Sequence, residues 1–131
     1  NTRIMSDEAQ RKAILLVEDD EQSMTYVQVL LRKQYDVHLA QWASAAWDIL
    51  QSTPIDLILM DISLPGTENG LELTQRIKAT ASLAAIPIIV LTAHAFPRDR
   101  VNSLAAGADA YISKPFDRHH LLETIGSLLP A

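Results

Sequence analysis

The chain has 131 residues, of which 48% are hydrophobic and 21% charged, and a formal net charge of -5. That size suits one globular domain with a real core and leaves no room for a second. The acidic balance, with Lys and Arg scattered, argues against direct nucleic-acid binding, which uses a basic stripe. The absence of cysteine excludes disulfides and thiolate metal sites. The apolar runs are too short to cross a bilayer and no signal-peptide pattern precedes them, so a soluble, cytoplasmic protein with no membrane partner is expected.

Residues 1–12 are polar and without period, and read as a flexible N-terminal segment ahead of a domain over 13–131. Met5-Ser6-Asp7-Glu8 resembles a natural start, which makes Asn1 to Ile4 a cloning remnant. Ile14-Leu15-Leu16-Val17 reads as a buried strand that ends in Glu18-Asp19-Asp20-Glu21. Acids there suit a helix start, where side-chain oxygens cap free amides and the helix dipole favours negative charge. That helix is predicted to run to about Lys33, with Val27, Leu30 and Leu31 on one stripe. A weaker strand spans Asp36 to Ala40, with His38 pointing outward, and Ser44 is the expected cap of a short helix carrying Trp47 and Leu50.

Leu57-Ile58-Leu59-Met60 is a strand buried on both faces, stopped by Asp61 and the turn Ser63-Leu64-Pro65-Gly66. A third helix follows from Gly70 to about Thr80, with Leu73 and Ile77 one turn apart. Pro87 precedes the strand Ile88-Ile89-Val90-Leu91, which ends at Thr92. Pro97 suits the first turn of a fourth helix and Gly107 its stop. Ala110 to Ser113 is a short fifth strand ending at Lys114-Pro115. The last helix runs from about Arg118 to Leu129 with Leu121, Leu122, Ile125, Leu128 and Leu129.

Strands alternating with helices predict an α/β fold: a doubly wound five-stranded parallel sheet with helices on both faces. Right-handed crossovers favour the strand order 2-1-3-4-5, which sets the first and third strands side by side at the topological switch point. One edge then receives Glu18 and Asp19, Asp61, Thr92 and Lys114 from four strands. Three carboxylates held close repel one another unless a cation joins them. Oxygen ligands without His or Cys favour Mg²⁺. Asp61 is then the candidate nucleophile that forms an aspartyl phosphate, with Lys114 and Thr92 meeting charge on the transferring oxygens.

The acidic pair in Leu16-Val17-Glu18-Asp19, the segment Met60-Asp61-Ile62-Ser63-Leu64-Pro65-Gly66, Leu91-Thr92-Ala93 and Tyr111-Ile112-Ser113-Lys114-Pro115-Phe116 together resemble the receiver domain of the two-component response-regulator family. The resemblance covers Ala13 to Leu129 and implies a flavodoxin-like fold. It implies that Asp61 accepts phosphate from a sensor histidine kinase or a histidine phosphotransfer protein. It further implies that Asp19, Asp61 and the Ser63 carbonyl bind Mg²⁺ directly and Glu18 through water. Thr92 and Tyr111 become switch residues, Ala93 leaves room for the phosphoryl group, and His94 and Ser63 flank the path of the hydrolytic water. The Lys114-Pro115 bond is expected to be cis, as it often is in relatives.

The fourth helix, fifth strand and fifth helix become the switched face, on which a downstream partner or a second copy docks. Glu18 stands where Asp is more frequent, and the loop Gly66-Thr67-Glu68-Asn69-Gly70 is one residue longer than usual.

Other classes leave identifiable marks. A phosphatase of the haloacid dehalogenase type needs a second Asp two positions beyond its nucleophile, where Ser63 stands here. The glycines at 66, 70, 107 and 126 form no P-loop or dinucleotide fingerprint. A docking module that is never phosphorylated has no need of the set Asp19, Asp61, Thr92 and Lys114. Asp20 reads as a helix cap rather than a ligand, His119-His120 as an exposed helix start, and Trp42 and Trp47 as packing residues.

Overall fold

The structure is a computed structural model that describes residues 11–93 and 96–129. Among these residues, strands β1 (Ala13–Val17), β2 (Asp36–Ala40), β3 (Leu57–Met60), β4 (Ile88–Thr92) and β5 (Ala110–Ser113) alternate with helices α1 (Glu21–Leu31), α2 (Ala43–Ser52), α3 (Gly70–Lys78), α4 (Pro97–Ala105) and α5 (Arg118–Leu128). All strand pairs are parallel, in the order β2-β1-β3-β4-β5. This is the expected topology.

The continuous apolar runs of β1, β3 and β4 follow from burial on both sides, because successive side chains of a strand point to opposite faces. Leu15, Val17, Ile58, Met60 and Ile88 pack with Ala43, Ala46 and Leu50 of α2 and Leu73 and Ile77 of α3. Ile14, Leu16, Leu57, Leu59, Ile89, Leu91 and Ile112 pack with Met24, Val27 and Leu31 of α1 and Leu121 and Ile125 of α5. Helix α4 is bound more loosely. Ser103 is its one buried residue, while Val101 and Leu104 are exposed.

Several local readings need correction. Helix α2 begins at Ala43 with Trp42 as a cap that makes no side-chain hydrogen bond, so Ser44 lies inside the first turn. Burial of Ala43, Ala46 and Leu50 sets the phase of that helix. Trp42 is 47% exposed rather than packed in the core. Helix α1 stops at Leu31 because Gln34 and Tyr35 donate back to the Leu31 carbonyl, turning the chain so that Asp36 N–H reaches Lys12 O at 2.9 Å. Arg11 likewise donates to the carbonyls of Arg32 and Tyr35. Helix α3 ends at Lys78 and α5 at Leu128. Gly107, at φ +111, follows α4 in the left-handed region, as a glycine stop should.

Helix α3 starts with a reciprocal cap. The Asn69 side chain accepts from Glu72 N–H, and the Glu72 carboxylate accepts from Asn69 N–H, both at 2.9 Å. Gly70 stands immediately inside it, its N–H donating to Ile62 O at 2.9 Å. A Cβ added at Gly70 would lie 1.8 Å from the Asp61 carbonyl oxygen. The backbone of α3 therefore touches the backbone of the residue that follows β3, and only glycine permits that approach. Gly70→Ala is expected to destabilise the chain by about 1–3 kcal/mol or more, the usual cost of overpacking, measured as a lower urea midpoint at unchanged m-value.

Candidate functional site

The parallel register decides what meets at the carboxyl edge of the sheet. Val17 pairs with Met60, so the residues that follow them, Glu18 and Asp61, emerge side by side from β1 and β3. Two backbone bonds lock the level: Asp61 N–H donates to Val17 O at 3.0 Å, and Glu18 N–H donates to Ala40 O at 2.9 Å. On the other flank Thr92 pairs with Ser113, and Lys114 N–H donates to Thr92 O at 2.8 Å. Lys114 thus leaves β5 at the same edge, and the Lys114-Pro115 bond is cis.

Among the described residues one group of carboxylates is arranged to hold a cation. Glu18, Asp19 and Asp61 each offer an oxygen, and these atoms all lie within 4.8 Å of one another. Glu18 and Asp61 are buried, whereas Asp19 is exposed. Lys114 is the neighbouring counter-charge. Its Nζ donates to Glu18 Oε1 and lies 3.7 Å from Asp61 Oδ2.

Glu18 is pushed up to about 7, first by burial and then by the neighbouring Asp61 carboxylate, while the Lys114 ammonium pulls the other way. The donor chemistry fits a hard divalent cation such as Mg²⁺, since the cluster offers carboxylate oxygens and neither imidazole nor thiolate.

The remaining candidates occupy the rim. Ser63 N–H donates to Asp61 Oδ1 at 3.3 Å, which curls the start of the β3–α3 loop over the carboxylate. Thr92 is fully buried at the end of β4, and Ala93 is exposed just beyond it. His94 lies outside the described residues. Asp20 is a cap: its side chain accepts from Ser23 N–H at 2.8 Å, which holds its carboxyl pKa below the usual carboxylate range.

Tyr111 is half-buried on β5. Burial raises its hydroxyl pKa, with Asp99 of α4 adding to the effect and Arg100 opposing it. Arg100, Tyr111, Phe116, Asp117 and His120 share the wall of a cavity of about 400 Å³ between α4, β5 and α5. His119 and His120 are exposed, and His119 faces Glu123 at 2.9 Å.

Sequence reading missed two features of the loop that carries Ser63. One is the Asn69/Glu72 cap with Gly70 against Asp61, for which the spacing Asn69-x-x-Glu72 was an available signal. The other is the contact of Arg76 with both Glu68 and Trp47, for which the sequence carries no periodic sign.

A sequence profile described as the response regulator receiver domain matches residues 14–126. The chain belongs to the response regulator receiver family. It is 37% identical to the polar-differentiation response regulator DivK of Brucella ovis, covering 90% of this chain and 96% of that protein. It is 39% identical to the response regulator RppA of Synechocystis, covering 88% of this chain and 49% of RppA. The chain spans about half the length of the first curated relatives it matches.

Among solved structures it resembles the receiver domain of the sensor histidine kinase PA1611 of Pseudomonas aeruginosa. The TM-score is 0.82 and the identity 36%, over 89% of this chain and 96% of that one. That crystal structure has a magnesium ion coordinated in its active-site cleft. No helix among the described residues of this receiver is long and apolar enough to cross a membrane.

The raised pKa of Glu18 has a consequence of definite sign. A carboxyl that binds its proton more tightly in the folded chain contributes stability below its unfolded value near 4.5 and loses it as pH rises through about 7. The thermal midpoint of the metal-free receiver is therefore expected to fall between pH 5 and pH 8. Glu18→Gln, which cannot ionise, should flatten that part of the profile; an unchanged slope in the variant would remove Glu18 as its source.

Proposed function

We propose that this receiver accepts a phosphoryl group on Asp61 from the phosphohistidine of a sensor histidine kinase or a histidine phosphotransfer protein, and that Mg²⁺ at Glu18, Asp19, Asp61 and the Ser63 carbonyl is required. The observation that carries the proposal is the position of Asp61: a buried carboxylate inside an oxygen-donor cluster, with the Lys114 ammonium 3.7 Å away. In the transfer an Asp61 oxygen attacks phosphorus, the nitrogen–phosphorus bond of the donor breaks, and the imidazole leaves as the neutral base after taking a proton. Mg²⁺, when bound, supplies charge neutralisation for the phosphoryl oxygens.

Each side chain has a stated part. Lys114 offers its ammonium to the phosphoryl oxygens in place of one of the carboxylates it now pairs with. Thr92 offers a hydroxyl from the end of β4. Ala93, small and at the rim, leaves space for the incoming group, and His94, next in sequence, is proposed with Ser63 to modulate hydrolysis. The receiver works as a cytoplasmic switch, with at most slow self-dephosphorylation.

A single charge on Asp61 shifts a conformational equilibrium only through groups that contact it differently in two states. Thr92 leads into α4, in which Ser103 is the one buried residue. Lys114 follows the Tyr111 strand and precedes α5. The α4-β5-α5 face, with the Tyr111 cavity at its centre, is the proposed output surface, and a downstream protein or a second copy of the chain is its partner.

Incubation with acetyl phosphate should add one phosphoryl group to the intact mass in the presence of Mg²⁺ and none after chelation or in Asp61→Ala. A gain that survives Asp61→Ala contradicts the proposal. Thr92→Ala should still take up phosphate but lose the amide-exchange changes over residues 97–107 and 111–122 that the native chain shows; identical changes in both would exclude Thr92 as the link.

A further inference from the structure

The loop from Asp61 to Gly70 is anchored at its ends, where Ser63 N–H meets the Asp61 carboxylate and Asn69 caps α3. Its ends meet through Gly70 N–H on Ile62 O, and Leu64 packs against the core shared by α2 and α3. Between them the chain passes through Pro65 and Gly66, at φ +95, to Glu68. Glu68 adds a tie from the loop to the neighbouring helices. Its Oε1 accepts from Arg76 at 2.9 Å, and the Arg76 guanidinium carbon lies over the Trp47 indole, 4.0 Å from the ring centroid. Arg76 sits on α3 and Trp47 on α2, so one side chain joins the loop to both helices of that face.

An exposed ion pair alone contributes little to stability, because two long side chains must be ordered in water. Stacking changes the balance, since a guanidinium already fixed on an aromatic face presents its fork with little further loss of freedom. The pair also sits on the loop whose other end carries Ser63, and Ser63 N–H reaches the Asp61 carboxylate. What Arg76 fixes is therefore the course of the chain around the acidic cluster rather than the core.

We propose that Arg76 is a positioning residue for the cation site: by bridging Glu68 to Trp47 it holds the Asp61–Gly70 loop in the form that presents Asp61 and Ser63 to Mg²⁺. This inference rests on the Mg²⁺ binding proposed above. It makes a prediction of unusual sign. Deleting a positive charge near an acidic site should by electrostatics alone strengthen cation binding, whereas releasing the loop should weaken it.

Calorimetric Mg²⁺ titration of the native chain, Arg76→Gln, Arg76→Lys and the charge-conserving pair Arg76→Gln/Glu68→Gln separates these effects. Arg76→Gln is expected to weaken Mg²⁺ binding by about three- to tenfold, at or below the low end of what loss of an outer-shell partner costs. The double variant should be weakened by a similar factor, because both substitutions break the same link. Arg76→Lys should recover part of the loss. The urea midpoints of all four should lie close together, which a purely structural role would not allow.

Equal or tighter binding by Arg76→Gln, or native-like binding by the double variant, would overturn the positioning role and leave the proposed function standing. A native chain that binds no Mg²⁺ would overturn both.

Discussion

Crowding of like charge at one sheet edge is the constraint on which the rest depends. Glu18 and Asp61 are buried, Asp19 is beside them, and carboxylates this close are tolerable only if a proton or a cation joins them. The chain as it stands uses both remedies: Lys114 reaches between Glu18 and Asp61, and Glu18 holds its proton up to about pH 7. A site balanced in this way is ready for exchange. In the proposed function a divalent cation would replace the proton and a phosphoryl group would draw the ammonium toward itself.

The register of the sheet brings the strand-end members of that cluster to one level. Parallel pairing brings strand ends to the same edge, and the pairs Val17 with Met60 and Thr92 with Ser113 place acids on one flank and the lysine on the other. The crossover helices that parallel strands require then cover both faces, which accounts for the unbroken apolar runs. Helix α4 buries only Ser103, and it is the element that follows Thr92. Looseness there is what a segment needs if its position is to depend on a small event at the site.

The strands and the strand-end residues were legible because both are written in short local code. Four apolar residues and a polar stop identify β3 and Asp61 without reference to anything distant. The residues that tie one element to another were not. Gly70 could be read as a helix start, but not as the position where α3 meets the Asp61 carbonyl, because that contact depends on the loop's return path. The Arg76 stack on Trp47 joins two helices that no sequence period relates. Ser44 was mistaken for a cap because its type is right, while the burial of Ala43 one residue earlier decides where α2 begins. Trp42 reads as a packing residue because no basic neighbours mark it as a stacking platform, yet it stands 47% exposed beside the loop of Pro65 and Glu68.

The central claim is that the buried carboxylate of Asp61, and neither of its acidic neighbours, receives the phosphoryl group. The most direct measurement is reduction of the phosphorylated chain with borohydride, which converts an acyl phosphate to an alcohol, followed by peptide mass mapping. The account predicts reduction at Asp61 alone, dependent on Mg²⁺ during phosphorylation. Reduction at Glu18 or Asp19, or label retained on a histidine with Asp61 unmodified, would contradict it.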